Sequence, residues 1–118
     1  MKILDKLKVN TLRYDNETLD FYELGLFKNS SYDLVHLKEI YYVPHIHKKS
    51  SAKFYIIFGS GIIIIKGKEI KYKAGNIFNI PKGTPHGFKV KEETLFLSVQ
   101  TPPIMNPKTN KPDVEYPK

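Results

Sequence analysis

Cysteine is absent from all 118 residues of this chain. That absence removes disulfide cross-links, thiolate metal sites and cysteine nucleophiles together. Long apolar runs are absent too. The longest aliphatic run, Ile62-Ile63-Ile64-Ile65, has four residues, far short of the roughly 20 that span a bilayer. The start of the chain does not lead into a signal-peptide core, because Asp5, Lys6 and Lys8 interrupt it. The expectation is a soluble, cytoplasmic protein with no membrane partner. Arginine is nearly missing: Arg13 is the single one among 19 basic residues, set against 12 acidic, for a net charge of +7. Scattered lysine without arginine is a poor tool for bidentate reading of bases or phosphates. No nucleic-acid partner is expected, whereas a small acidic ligand suits the charge.

Helical signals are scarce as well. Asp15-Asn16-Glu17-Thr18-Leu19 has room for one short helical turn. The rest is rich in Ile, Val, Tyr and Phe and is punctuated by Gly and Pro every several residues, as in an all-β sandwich or barrel. The predicted strands are Leu19–Phe27, Asp33–Val43, Phe54–Phe58, Ile62–Lys66, Ile70–Lys73, Asn76–Ile80, Gly87–Val90 and Thr94–Gln100. Gly67-Lys68 is placed as a two-residue hairpin turn, and Gly59-Ser60-Gly61 as a strand end. Eight short strands in one domain suggest a jelly roll or closed barrel. The barrel domain is placed at residues 1–103. Residues 104–118 belong to a tail that holds, from Thr101 onward, five of the eight prolines and cannot form a central strand. The tail either wraps the barrel or a partner subunit, or frays.

Of four histidines, three fall in two compact constellations. In Pro44-His45-Ile46-His47, strand alternation sends both histidines to one side, about 6.6 Å apart along the strand. That spacing lets two imidazoles converge on one divalent ion. In the stretch from Gly75 to His86, a glycine turn feeds a strand, Pro81-Lys82-Gly83 reverses it, and His86 opens the next strand.

These constellations resemble the motifs of the cupin superfamily. The first family motif is Gly-x5-His-x-His-x3,4-Glu-x6-Gly, matched here by His45, His47 and Gly59. Glu39 replaces its leading glycine, and Ala52 stands at its glutamate position. The second is Gly-x5-Pro-x-Gly-x2-His-x3-Asn, matched by Gly75, Pro81, Gly83 and His86, with Val90 in place of the asparagine. The resemblance runs from about Leu34 to Pro103, a motif core of 34–103. It implies an all-β double-stranded β-helix, that is, a jelly-roll barrel. It also implies one divalent metal ion (Fe, Mn, Ni or Zn) held by His45, His47 and His86, a small-molecule ligand, and a homodimer paired through an edge strand. Three-His dioxygenases in the family share the missing glutamate. Two functions follow as expectations. One is an enzyme of isomerase, lyase or oxygenase type acting on a small polar, sugar- or keto-acid-like metabolite. The other is a non-catalytic module that binds a carbohydrate or other small ligand.

Among the remaining candidates, His36 reads as a surface or hydrogen-bonded strand histidine. Tyr41, Tyr42, Phe54, Tyr55, Phe78 and Phe88 read mostly as core, with one or two tyrosines of inward parity lining the cavity. Lys53 alternates away from Ala52 into solvent, and Gln100 ends a strand that resembles the one closing the barrel in small cupins, which implies reach to a ligand. No Gly-x-Ser-x-Gly and no paired carboxylates near the histidines are present, which argues against hydrolase triads and glycosidase pairs.

Overall fold

The computed structural model describes residues 6–14 and 17–116. The readings made on Met1–Asp5, Asp15 and Asn16 lie outside the described residues. Ten strands follow in order: β1 (Lys8–Tyr14), β2 (Glu17–Phe27), β3 (Ser30–Leu37), β4 (Tyr41–His45), β5 (Ser51–Ile65), β6 (Lys68–Lys73), β7 (Ile77–Ile80), β8 (His86–Thr101), β9 (Met105–Asn106) and β10 (Lys111–Pro112). In the main sheet β1, β2, β3, β8, β5 and β6 lie side by side, with β4 also paired to β8 and β7 to β5. β9 and β10 pair only with each other.

Two long strands, β5 and β8, organise the fold. β5 pairs with β7 through Ala52–Tyr55 and with β6 through Ser60–Ile65, while its other edge follows β8. β8 in turn pairs with β4 near His86–Lys89 and with β3 through Thr94–Gln100. Each long strand therefore contributes to two layers, and the double-stranded β-helix expected from the motifs is the fold observed.

Several local readings are corrected. Gly59-Ser60-Gly61 does not end a strand; it lies inside β5, so Phe54–Phe58 and Ile62–Ile65 are continuous. The register slips at Ile56/Phe58, Phe58/Ser60 and Ser60/Gly61, and such bulges bend a long strand without reversing it. Gly59 is required there: its φ is +103°, and an added Cβ would lie 2.4 Å from the Glu93 carbonyl oxygen. Gly87–Val90 and Thr94–Gln100 likewise merge into β8, whereas Asp33–Val43 divides into β3 and β4. The β5–β6 turn is Lys66-Gly67, one residue earlier than expected, because Ile65 faces Lys68. Both turn residues have positive φ, 51° and 79°, as a type I′ turn demands. Glu17–Leu19 is strand, paired to β1, and not part of a helical turn.

Alternation places Ala52, Phe54 and Ile56 inside and leaves Lys53 exposed. Phe54, Phe88 and Phe96 pack together with ring centroids 4.5–6.2 Å apart; such aromatic pairs add about 0.5–1.5 kcal/mol each beyond their buried area. Ile104 from the tail is buried in the same core, and Val114 packs against it. Among the described residues no helix is long and apolar enough to cross a membrane.

Candidate metal centre

The site forms where the two histidine segments meet. β4 ends at His45 and β8 begins at His86, and these two residues are direct partners across the strands. A register shift between Tyr42 and His45 brings the proline-bearing end of β4 onto β8. Gly87 makes this approach possible, since a Cβ there would lie 2.5 Å from the Tyr42 carbonyl oxygen and 2.9 Å from Pro44 N. The turn after β7 closes the arrangement: Gly83 N–H donates to the His47 carbonyl at 2.7 Å. All three imidazoles are buried, and one ring nitrogen from each lies within 4.8 Å of the others.

Hydrogen bonding sets the chemistry of these nitrogens. His86 Nδ1 lies 2.9 Å from the Thr84 carbonyl oxygen. A carbonyl can only accept, so Nδ1 carries the proton and Nε2 presents a lone pair. That Nε2 and Nδ1 of His47 are buried with no hydrogen-bond partner. Burial holds every ring neutral: His45 falls well below 6.5, helped by His86 and His47. Burial and the neighbouring His86 take His47 to about 3, against a pull from Asp113. His86 is lowered to about 4, again by burial, with the Thr84 bond opposing. Neutral imidazole is the metal-ligating form, and a backbone carbonyl on the second ring nitrogen is the usual way such a ligand is oriented. The donor set therefore fits a divalent transition ion.

A cavity of about 40 Å³ adjoins the three rings, walled largely by Phe21, Phe54, Phe88 and Phe96. Its remaining polar lining is Ser98 and Gln100, so Gln100 faces the same cavity as the histidines. The Gln100 amide nitrogen donates to Asp33 Oδ2 (2.8 Å) and the Ser31 carbonyl (3.1 Å), while its oxygen accepts from Ser98 Oγ at 2.7 Å. Burial, and then the charge of Glu23, push buried Asp33 up to about 7, against the Gln100 bond.

The expected tyrosine lining is not found among the described residues. Tyr42 is buried, but its hydroxyl accepts the N–H groups of Lys38 and Glu39, both at 2.9 Å. Ala52 is buried on the inner face, beside Ile80 and Gln100 on the flanking strands, yet it is not part of the cavity wall. His36 lies away from the cluster, its Nε2 paired with Glu93. Four contributors from the tail carried no local sequence signal. Ile104 and Val114 line the cavity, and the Tyr116 ring packs 5.3 Å from His45. The Asp113 carboxylate accepts the N–H groups of Lys48, Lys49 and Ser50 at 3.1, 2.7 and 3.0 Å. Burial works to raise the Asp113 pKa, but these bonds and nearby His47 hold it below the usual value.

The family model of the cupin domain matches residues 36–99. An uncharacterized protein of Aquifex aeolicus (strain VF5) is 30% identical over 87 residues, 73% of this chain and 71% of that protein. Streptomyces PAC13 with uridine superposes with a TM-score of 0.70 at 13% identity, over 98% of this chain and 88% of that one; Pac13 is described as a nucleoside dehydratase. A predicted oxalate decarboxylase of Thermotoga maritima gives 0.69 at 18% identity, over 83% and 95% of the two chains. KdgF of a Halomonas species gives 0.67 at 15% identity, over 85% and 90%. At these identities the likeness to solved structures is one of fold.

Proposed function

This chain belongs to the cupin family, and on that premise we propose that it is a metal-dependent enzyme of lyase type acting on a small oxygen-bearing molecule. His45, His47 and His86 would hold one divalent ion, Fe, Mn, Ni or Zn. The observation that carries this reading is the convergence of three buried, neutral imidazoles, two of whose nitrogens have no hydrogen-bond partner. Three neutral ligands leave a 2+ ion its full charge, which favours an anionic substrate oxygen. Bound there, such an ion supplies Lewis-acid polarisation of that oxygen. The phenylalanine walls make the cavity largely apolar, and the Gln100 and Ser98 oxygens offer acceptors to a substrate hydroxyl. The cavity is small, about 40 Å³, which favours a keto-acid-sized ligand over a sugar ring. A lyase is supported over an isomerase or oxygenase by two of the fold relatives, a dehydratase and a predicted decarboxylase.

A second reading is a non-catalytic binding module. It is favoured by the cavity wall, which among the described residues includes no carboxylate, lysine or arginine to act as acid or base. Elemental analysis of protein purified without added metal tests the first reading, followed by thermal unfolding with Mn2+, Fe2+, Ni2+ and Zn2+. About one ion per chain and a metal-dependent rise in unfolding temperature are expected. The absence of any shift with all four ions overturns the metal reading. With metal bound, turnover in a screen of small keto and hydroxy acids separates enzyme from binding module.

A further inference from the structure

The Pro-rich tail cannot add a strand to the sheet, yet it is tied to the barrel at defined points. Ile104 is buried, and its N–H donates to Ser31 Oγ at 3.0 Å. Asp113 N–H donates back to the Ile104 carbonyl at 2.7 Å, fixing where the chain returns. From there the tail runs against the segment that bears two of the three histidines.

The contact centres on the residue between them. Ile46 N–H donates to the Glu115 carbonyl at 2.8 Å, and Glu115 N–H donates to the Ile46 carbonyl at 2.9 Å. Side chains alternate along an extended chain, so fixing the Ile46 backbone in this bridge fixes His45 and His47 together on the face opposite the Ile46 side chain. Directly after His47 the chain turns, and the three amides of Lys48, Lys49 and Ser50 all point at the Asp113 carboxylate. Charge-assisted bonds of this kind are roughly twice as strong as neutral ones. The exposed Lys48–Glu115 ion pair, at 2.7 Å, adds little. The tail-side groups, Ile104, Asp113 and Glu115, lie beyond residue 99, where the family match ends.

We infer that the C-terminal strap Ile104–Tyr116 sets the geometry of the His45-Ile46-His47 ligand segment, with Asp113 as its positioning residue. The inference rests on the metal reading above for its consequence, and on backbone hydrogen bonds for its mechanism. Outer groups that orient metal ligands are worth roughly 10–100-fold in metal affinity, and a loss in that range is expected here.

Full-length wild type, Asp113→Ala and Asp113→Asn are loaded with Co2+, with chelator competition giving affinity and the visible d–d bands reporting ligand geometry. Amide hydrogen exchange of Ile46 and Lys48–Ser50 is measured on the metal-free proteins. Asp113→Ala is expected to bind Co2+ roughly 10–100-fold more weakly, with altered bands and faster exchange confined to those amides. Asp113→Asn keeps one acceptor oxygen and should fall between, which covers the case of an alanine variant that folds poorly. Glu69→Gln, on the exposed β6, should match wild type. Unchanged affinity, bands and exchange in both Asp113 variants overturn the inference. If wild type itself leaves Co2+ unbound, the metal reading falls; exchange then decides the strap alone, and unchanged exchange overturns it.

Discussion

His86 donates its Nδ1–H to the Thr84 carbonyl, a residue only two positions earlier in the chain. The tautomer of this imidazole is therefore set by the turn that starts β8, whatever lies across the cavity. The lone pair on Nε2 is in place before any ligand arrives, and the three-histidine cluster is preorganised on at least one of its corners.

Replacing a partner of that corner tests the cluster directly. His47→Ala should abolish metal-induced stabilisation while leaving the β-rich circular dichroism spectrum intact, because His47 makes few bonds that the fold needs. For wild type, stabilisation of about 2.7 kcal/mol is expected at a hundredfold excess of metal over Kd. Retention of that shift in His47→Ala would show that the metal sits elsewhere.

Ala52 stands where related motifs carry a glutamate, and it faces inward, whereas Lys53 is exposed. Ala52→Glu should lower the unfolding temperature of the metal-free protein, since a carboxylate is buried without a partner. It should also enlarge the metal-dependent rise, as the carboxylate becomes a fourth protein ligand. Lys53→Glu should do neither. A tightening by Lys53→Glu alone, read by chelator competition, would mean that the inward register of β5 is wrong.

The pH dependence of stability follows from four buried groups. The histidines are depressed from an ordinary 6.5, His47 to about 3 and His86 to about 4, with His45 well below. Their contribution to stability is complete above about pH 6.5 and is lost as pH falls through the folded values. Asp33 works in the opposite sense: raised from 3.8 to about 7, it contributes fully below its unfolded value and is lost as pH rises through about 7. Between these limits the unfolded chain binds more protons, so stability rises with pH. Asp33→Asn removes the opposing proton and should steepen that rise by up to one proton, about 1.4 kcal/mol per pH unit. Urea unfolding between about pH 4.5 and 6.5 measures the slope; an unchanged or shallower slope contradicts the assignment.

A homodimer is proposed from the sheet edges. β1 and β6 end the sheet, and Leu26 and Phe27, at the end of β2, are 73% and 59% exposed. Burying an unpaired edge and such side chains gives association a physical motive. Sedimentation equilibrium at micromolar concentration should give about twice 13.7 kDa; a monomer mass would refute the pairing.

The two histidine segments were legible because their spacing encodes a strand and a turn, and each is local. Gln100 was legible through the resemblance of its strand to the one that closes the barrel in small cupins. The continuity of β5 through Gly59 was not, since glycine in a bulge and glycine in a turn look alike until the partner strand is known. The roles of Asp33 and Asp113 were equally hidden. Asp33 answers to Gln100 on another strand, and Asp113 binds amides 63–65 positions away. No window of sequence contains both ends of such a contact.

The sharing of β8 among β3, β4 and β5 has a consequence for synthesis. Strands made early wait for one made late: until the ribosome has released the chain to about Thr101, β3 and β4 lack the neighbour that pairs them into the main sheet. Long-range antiparallel pairing of this kind folds slowly, and unpaired edges held open during that wait invite aggregation. The nascent chain therefore depends on prompt synthesis of β8, and a product stalled or truncated before it should be cleared by proteolysis rather than accumulate as a folded fragment.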